Sequence, residues 1–484
     1  MLFNSIDFLI FFPVVFLFYW AFAKNLILRN IFILIVSYIF YGWWDWRFLF
    51  LIAISSFVDY YIGKRLGKEN DDKKRKLLLS LSLLVNLGFL MYFKYANFFI
   101  ESFAKSFTFF GSNLEVSTLN IILPVGISFY TFQTLSYTID IYRRSLKPTN
   151  DIISFFAFVA FFPQLVAGPI ERASHLLPQF YITYKFDYKQ VRSGFQLMLW
   201  GFFKKVVIAD RLAILVNEVY NNPEAYSGSD FIIATLFFTF QIYCDFSGYS
   251  DIAIGLARSM GFDLMKNFDS PYFSKSITEF WRRWHISLST WFRDYVYIPL
   301  GGSKKGKYRT YYNLFLVFVV SGLWHGAAMT FVIWGAMHGT IIVLEKATQE
   351  FREKLFVMTH FKKDEVFSGL VSGLITFSIV AFAWVFFRAN SFDEAQHIIL
   401  SMFGSEKGHD LYELGLSEFN VNLSIILIVV LLVLEYINNY VNLEVYLNNR
   451  NVILRWGFYL ILLFTILLYG VYGGDSPEFL YFQF

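Results

Sequence analysis

The stretch VFSGLVSGLITFSIVAFAWVFF, residues 366–387, contains no Asp, Glu, Lys or Arg. As a helix rising 1.5 Å per residue it would reach about 33 Å, the thickness of the hydrocarbon core of a bilayer. A helix apolar on every side must be buried on every side, and a run of this length points to lipid. The same pattern recurs along the chain, at residues 2–23, 26–41, 48–62, 77–93, 152–166, 196–216, 231–254, 313–326, 327–344, 421–440 and 452–472. Runs this closely spaced predict an all-α polytopic membrane protein with about eleven to thirteen transmembrane or re-entrant helices. The whole chain, residues 1–484, reads as one membrane-embedded domain without a repeat, a low-complexity tract or a soluble module.

Composition agrees. Of 484 residues 56% are hydrophobic and only 16% charged, and mean hydropathy is +0.49, too apolar for a soluble domain of this size. The formal net charge of +4 is small, so its distribution matters more than its total, and no nucleic-acid partner is expected. A single cysteine, Cys244, rules out an internal disulfide and a zinc-thiolate cluster. Residues 2–20 lack a basic leader and a small-residue cleavage site, so they read as a retained span.

Loop charge sets the expected orientation. Residues 64–76, KRLGKENDDKKRK, hold seven Lys or Arg and should face the cytoplasm, as should residues 304–309 and 346–363. Residues 393–418 are predominantly acidic and should lie outside. Residues 421–440 then return inward, Arg450 and Arg455 mark a cytoplasmic turn, and 452–472 runs out again. The tail 473–484 is therefore expected on the outer side.

Residues 281–294, WRRWHISLSTWFRD, read as one amphipathic helix. At about 100° per residue, Trp281, Trp284, Leu288, Trp291 and Phe292 share a face, with Arg282, Arg283, Ser289, Arg293 and Asp294 away from it. Such a helix suits an interface or a vestibule. His285 falls within the aromatic face, where an imidazole is costly unless it is paired or meets a polar cavity. Satisfaction by a backbone carbonyl is the plainer explanation. His325, in Ser321-Gly-Leu-Trp-His-Gly, lies in an apolar stretch broken by glycines 322, 326, 335 and 339. An ionisable group at membrane depth suggests function, and glycines permit close approach of helices or ligand. His338 follows at roughly 220° around an ideal helix, so it is expected to face elsewhere. Residues 301–309, GGSKKGKYR, offer cations and backbone amides that suit a phosphate, such as a coenzyme A pyrophosphate, but do not fit a P-loop. A loop of that kind more often fixes topology alone.

These segments together resemble the membrane-bound O-acyltransferase family. The resemblance runs through QIYCDFSGYSDIAIGLARSMG (241–261), FWRRWHISLSTWFRDYVYIPLGGS (280–303) and SGLWHGAAMTFVIWGAMHG (321–339). Upstream, PVGISFYTFQTLSYTIDIYRR (124–144) and FFPQLVAGPIER (161–172) are similar to its alginate O-acetyltransferase branch, as is WVFFRAN (384–390). The resemblance implies a shell of helices around a central tunnel, with His325 as principal catalytic histidine and His285 as second active-site residue. Trp324, Ser321, Arg282, Trp284 and Asp245 stand in the matching motifs, Asn313 lies between two of them, and all six are expected to bind substrate. No tightly bound cofactor and no metal are implied. The donor would be acetyl-CoA, the acceptor a polysaccharide, and the partner an extracytoplasmic serine esterase-like acetyltransferase, all at a bacterial cytoplasmic membrane in contact with its lipids.

The chain ends Phe479-Leu-Tyr481-Phe-Gln-Phe484. Composition alone reads this as an aromatic interface anchor. It also resembles the terminal aromatic motif of the polysaccharide-acetylating branch, which implies that Tyr481 accepts the acyl group as a phenolic ester. Two other readings remain open on the sequence. Within the family the chain would export D-alanyl groups to teichoic acid from a carrier-protein thioester. In another class it would be a proton-coupled transporter using His285 and His325, although no repeat symmetry supports that.

Overall fold

The computed structural model describes residues 1–109, 118–119, 121–358, 366–473 and 479–480. It is 77% helical, with no strand among the described residues. Among the described residues six helices are long and apolar enough to cross a membrane: Trp46–Leu66, Asp72–Phe107, Ser229–Ser259, Val366–Arg388, Glu418–Tyr440 and Val452–Tyr469. Three apolar helices, Ile6–Phe22, Leu26–Gly42 and Ile152–Leu165, are shorter. The chain is a multi-pass membrane protein, and it packs as two compact units.

The first unit comprises residues 1–198 and 250–265. Its helices are α1 (Ile6–Phe22), α2 (Leu26–Gly42), α3 (Leu49–Leu66), α4 (Asp72–Leu90), α5 (Ala96–Phe109), α6 (Ile127–Tyr142), α7 (Ile152–Val159), α8 (Phe162–Leu165), α9 (Ala173–Leu176) and most of α10 (Tyr188–Phe202). Hydropathy ends the fourth apolar run at residue 93, but a π-helical turn at Met91–Tyr95 carries α4 on into α5. Helix α6 was not foreseen as an element. Its Thr131, Gln133, Thr134, Ser136 and Thr138 depress hydropathy, yet all are buried. Ser136 donates to the Gln133 carbonyl within the helix (2.7 Å), and the Gln133 side chain donates to the Phe158 carbonyl of α7 (2.8 Å). Beside them Asp59 accepts from Ser82 (2.6 Å) and Asn86 (2.8 Å), so a buried carboxylate links α3 to α4.

The second unit comprises residues 199–249 and 266–484. It holds α11 (Asp210–Asn221), α13 (Ile277–Arg283), α14 (Ile286–Phe292), α15 (Lys307–His325), α16 (Met329–Ala347), α17 (Gln349–Met358), α18 (Val366–Arg388), α19 (Phe392–Met402), α20 (Glu418–Tyr440), α21 (Leu443–Asn448) and α22 (Val452–Tyr469). Helix α12 (Ser229–Ser259) gives its residues up to 249 to this unit and the remainder to the first. Glycine lets α15 and α16 touch backbone to backbone. A Cβ at Gly322 would lie 2.2 Å from the Phe331 carbonyl oxygen, and one at Gly335 2.3 Å from that of Phe318. Around this hairpin Trp281, Trp284, Trp334, Trp384 and Phe387 form a continuous aromatic core.

Candidate active site

All of the site geometry lies in the second unit. The stretch 281–294 is not one helix. Helix α13 stops at Arg283, Trp284 is extended, and His285 takes a left-handed conformation (φ 44°, ψ 53°) before α14 begins. A non-glycine residue there is uncommon and costs about 1–3 kcal/mol unless its surroundings fix it. The surroundings do. Residues 267–269 run across the break, with Ile286 N–H donating to the Asn267 carbonyl (2.9 Å) and Asp269 N–H to that of Arg283 (2.9 Å). The Asn267 side-chain oxygen accepts from Ser287 Oγ (2.9 Å) and Ser287 N–H (3.3 Å). Backbone groups freed by the break are thereby paired. The aromatic face is buried as its periodicity predicts, at Trp281, Trp284, Leu288, Trp291 and Phe292.

The break brings His285 to His325. Their ring centroids are 6.1 Å apart, and the two are 0% and 3% exposed. His325 is the last residue of α15, which ends because Gly326 must lie flat against Phe331, a Cβ there falling 2.1 Å from the ring. Aromatic rings enclose the pair. The edge or face of Phe246 meets His285 at 4.6 Å, Trp324 meets His325 at 5.0 Å, and Trp334 and Phe387 meet His325 at 5.1 and 5.5 Å. Burial in this cage favours the neutral imidazole at His285. A neutral imidazole can take a proton, and one oxygen atom between the rings can face both.

Trp324 also lies 6.0 Å from His285, and Ser321 is buried one turn before His325. Trp284 packs against Phe280 (5.4 Å) and Trp384 (5.1 Å) in the aromatic core. Arg282 is exposed. Asn313 is buried twelve residues before His325, about 18 Å along α15, and donates to the Gly302 carbonyl (3.0 Å), tying the 301–309 loop to the helix. His338 does not point away. The 220° offset assumed an unbroken helix, whereas Gly326 separates α15 from α16. His338 therefore meets Trp334, the ring that also meets His325 (5.0 and 5.1 Å), and its Nδ1 accepts from Trp281 Nε1 at 3.3 Å.

Asp245 lies on α12 next to Phe246. Lys205 is buried between Asp210 (2.8 Å) and Asp245 (2.6 Å), and the second oxygen of Asp245 accepts from the Leu480 amide (2.9 Å). Phe479 and Leu480 are 1% and 3% exposed. The Phe479 ring packs on Tyr249 (4.8 Å) and Phe246 (6.3 Å), with the Lys205 ammonium 5.8 Å from its centre. One ring, Phe246, thus separates the tail from His285. Tyr481 lies outside the described residues. Sequence reasoning passed over Asn267, Lys205 and Phe246, whereas Phe479 stood in the terminal aromatic motif. Of the three, only Phe246 lay in a quoted motif, beside Asp245.

The family model for the membrane-bound O-acyltransferase family matches residues 42–386, both histidines included. The chain is 45% identical over 377 residues to the probable alginate O-acetylase AlgI of Pseudomonas aeruginosa, covering 78% of this chain and 70% of that protein. It is 36% identical over 434 residues to the peptidoglycan O-acetyltransferase of Helicobacter pylori, covering 84% and 80%. A more distant relative is the teichoic acid D-alanyltransferase of Bacillus subtilis, 28% identical over 286 residues, 56% of this chain and 70% of that protein. With its enclosed pair of histidines and a match across most of its length, the chain belongs to the membrane-bound O-acyltransferase family and is an O-acyltransferase.

Proposed function

We propose that the enzyme transfers an acetyl group from cytoplasmic acetyl-CoA through the membrane to Tyr481, from which an extracytoplasmic partner passes it to a cell-envelope or secreted polysaccharide. The observation that carries this reading is the tail: Phe479 and Leu480 are buried one ring away from the 6.1 Å histidine pair. Tyr481 follows directly in the chain. The two relatives with the higher identity are named for O-acetylation, of alginate and of peptidoglycan, which favours acetyl as the group and a glycan as acceptor. The D-alanyltransferase relative matches a smaller share of the chain, so the carrier-protein reading ranks second.

In the proposed step His325, supported by His285, takes the phenolic proton of Tyr481 as its oxygen attacks the thioester carbonyl. The carbon–sulfur bond breaks, the proton passes to the departing thiolate, and free coenzyme A and an acetyl-tyrosine ester result. A phenol with an ordinary pKa near 10 needs such a base at neutral pH. A phenyl ester keeps enough transfer potential for a second hydroxyl acceptor, whose attack restores the tyrosine. The 301–309 loop, tied to α15 through Asn313, would meet the coenzyme's phosphates on the cytoplasmic side. Arg282, Trp284, Ser321 and Trp324 would line the path of the donor, and the tail would lie on the outer face of the cytoplasmic membrane.

The test is incubation of purified protein with radiolabelled acetyl-CoA, followed by peptide mapping. Label on the C-terminal peptide, absent in Tyr481→Phe and His325→Ala, is expected. Coenzyme A release without label would discard the tyrosine ester, and absence of both would favour a carrier-protein donor.

A further inference from the structure

In the first unit a pocket of about 520 Å³ lies between the start of α4 and the end of α6, lined by Asp72, Lys73, Arg75, Lys76, Tyr142, Arg143 and Arg144. Five cations there face one carboxylate. Arg75 is the buried member and is fully used by the fold. It donates to the carbonyls of Leu66 and Glu69 and to those of Ile141 (3.1 Å) and Tyr142 (2.9 Å). A single guanidinium thus closes the C-terminal ends of α3 and α6, where unpaired carbonyls would otherwise gather negative charge. The other four cations, Lys73, Lys76, Arg143 and Arg144, are exposed.

Arg144 is the telling residue. Helix α6 ends with Arg144 N–H bonded to the Ile141 carbonyl (3.0 Å) and Ser145 N–H to that of Asp140 (2.9 Å), a closure whose turning residue is usually glycine. Here that residue is an arginine at φ 62°. A charged side chain kept in a backbone conformation that glycine would adopt without strain indicates a use for the charge.

The position of the pocket indicates which anion. It opens at the first turn of one membrane-crossing helix, Asp72–Phe107, six residues after another, Trp46–Leu66, ends. Such a turn lies at the depth of lipid headgroups, and residues 64–76 carry the positive charge that attracts an anionic leaflet. Arginine pairs suit phosphate oxygens by their forked geometry.

We propose that this pocket binds the phosphodiester headgroup of an anionic phospholipid. The full chain is placed in nanodiscs of phosphatidylcholine alone or with one quarter phosphatidylglycerol. Its melting temperature is measured, and the phosphatidylglycerol it retains is counted by native mass spectrometry. The expected result is a higher melting temperature with phosphatidylglycerol. At least half of that shift, and most of the retained lipid, should be lost in Arg144→Gly and in the double variant Lys73→Ala/Arg143→Ala. In phosphatidylcholine alone Arg144→Gly should melt at or above the wild type, because glycine relieves the backbone; Arg144→Asn, which tolerates the same backbone, provides a second uncharged comparison. Equal phosphatidylglycerol shifts in wild type and variants would overturn the proposal. So would an equal shift caused by soluble pyrophosphate in phosphatidylcholine alone, which would make the pocket a site for a soluble phosphate.

Discussion

The backbone amide of Leu480 donates to Asp245, 235 residues earlier, and the other oxygen of that carboxylate lies 2.6 Å from the buried ammonium of Lys205. Backbone recognition of this kind holds a strand whatever its side chains, and a charged acceptor strengthens it. Asp245, expected from its motif to bind substrate, here holds the enzyme's own tail.

Asp245→Asn should loosen that hold while sparing the rest of the protein, since Lys205 keeps Asp210 as a partner (2.8 Å). A hydrogen bond to a charged group contributes about 1.5–3 kcal/mol, so the Leu480 amide should exchange its hydrogen roughly ten- to a hundredfold faster. Acyl transfer should fall alongside. Hydrogen-exchange mass spectrometry on the C-terminal peptide reads the first effect, and unchanged exchange there would show that the tail is held by Phe479 packing alone.

Asn267 acts on His285 through the helix break. Its side-chain oxygen accepts from both Ser287 donors, so Asn267→Ala removes a buried acceptor from both at a cost of about 1–3 kcal/mol. His285 is then free to relax from its left-handed conformation. Turnover should drop roughly tenfold with little change in KM, because 1.4 kcal/mol is a factor of ten. Asn267→Asp keeps the acceptor and should recover most of the rate; equal loss in both variants would assign the residue a role other than positioning.

The sequence exposed the parts of this molecule that depend on local pattern. Apolar runs at 366–387, 421–440 and 452–472 became α18, α20 and α22, because lipid-facing helices need no partner to justify their hydropathy. His285 and His325 were singled out separately, each as an imidazole in apolar surroundings. What periodicity could not show was their meeting. That depends on a helix break at Trp284–His285 whose stabilising acceptor, Asn267, lies in another segment. Helix α6 escaped hydropathy because its Ser and Thr hydroxyls bond within the helix, and the salt-bridged Lys205 because a pair of lysines, Lys204 and Lys205, in an apolar run gives no sign of its partners.

Gly335 and Gly457 make a matched pair. A methyl group at Gly335 would press to 2.3 Å on the Phe318 carbonyl oxygen, which is backbone and cannot rotate away, whereas Gly457 has nothing within 4 Å of its would-be Cβ. Gly335→Ala should therefore part α15 from α16 at a cost of about 1–3 kcal/mol or more, disturbing Trp334 beside His325. Gly457→Ala, in the middle of α22, should be neutral or stabilise by about 0.5–1 kcal/mol. Melting curves in detergent compare them directly; two equal losses would mean that glycine is needed for helix flexibility and not for contact.

The segment 404–418 should respond to pH. His409 in the 404–418 segment donates its amide to Asp230 Oδ1 (2.8 Å), and its ring nitrogen Nδ1 lies 2.9 Å from Oδ2, pinning the segment to the start of α12. The hydrogen bond to that carboxylate raises the histidine pKa above its ordinary value, with a smaller contribution from Glu413. A raised pKa means that the pin is strongest below about pH 6.5, the unfolded value, and weakens as pH rises through the folded value. Because His409 is exposed, solvent limits the gain to a few-fold change in opening. Hydrogen exchange across residues 404–418, corrected for intrinsic rates, should show more protection at pH 5.5 than at pH 8.5. His409→Asn keeps a polar side chain and cannot titrate, so the difference should disappear in that variant. If it persisted, the titrating group would have to lie elsewhere in the segment.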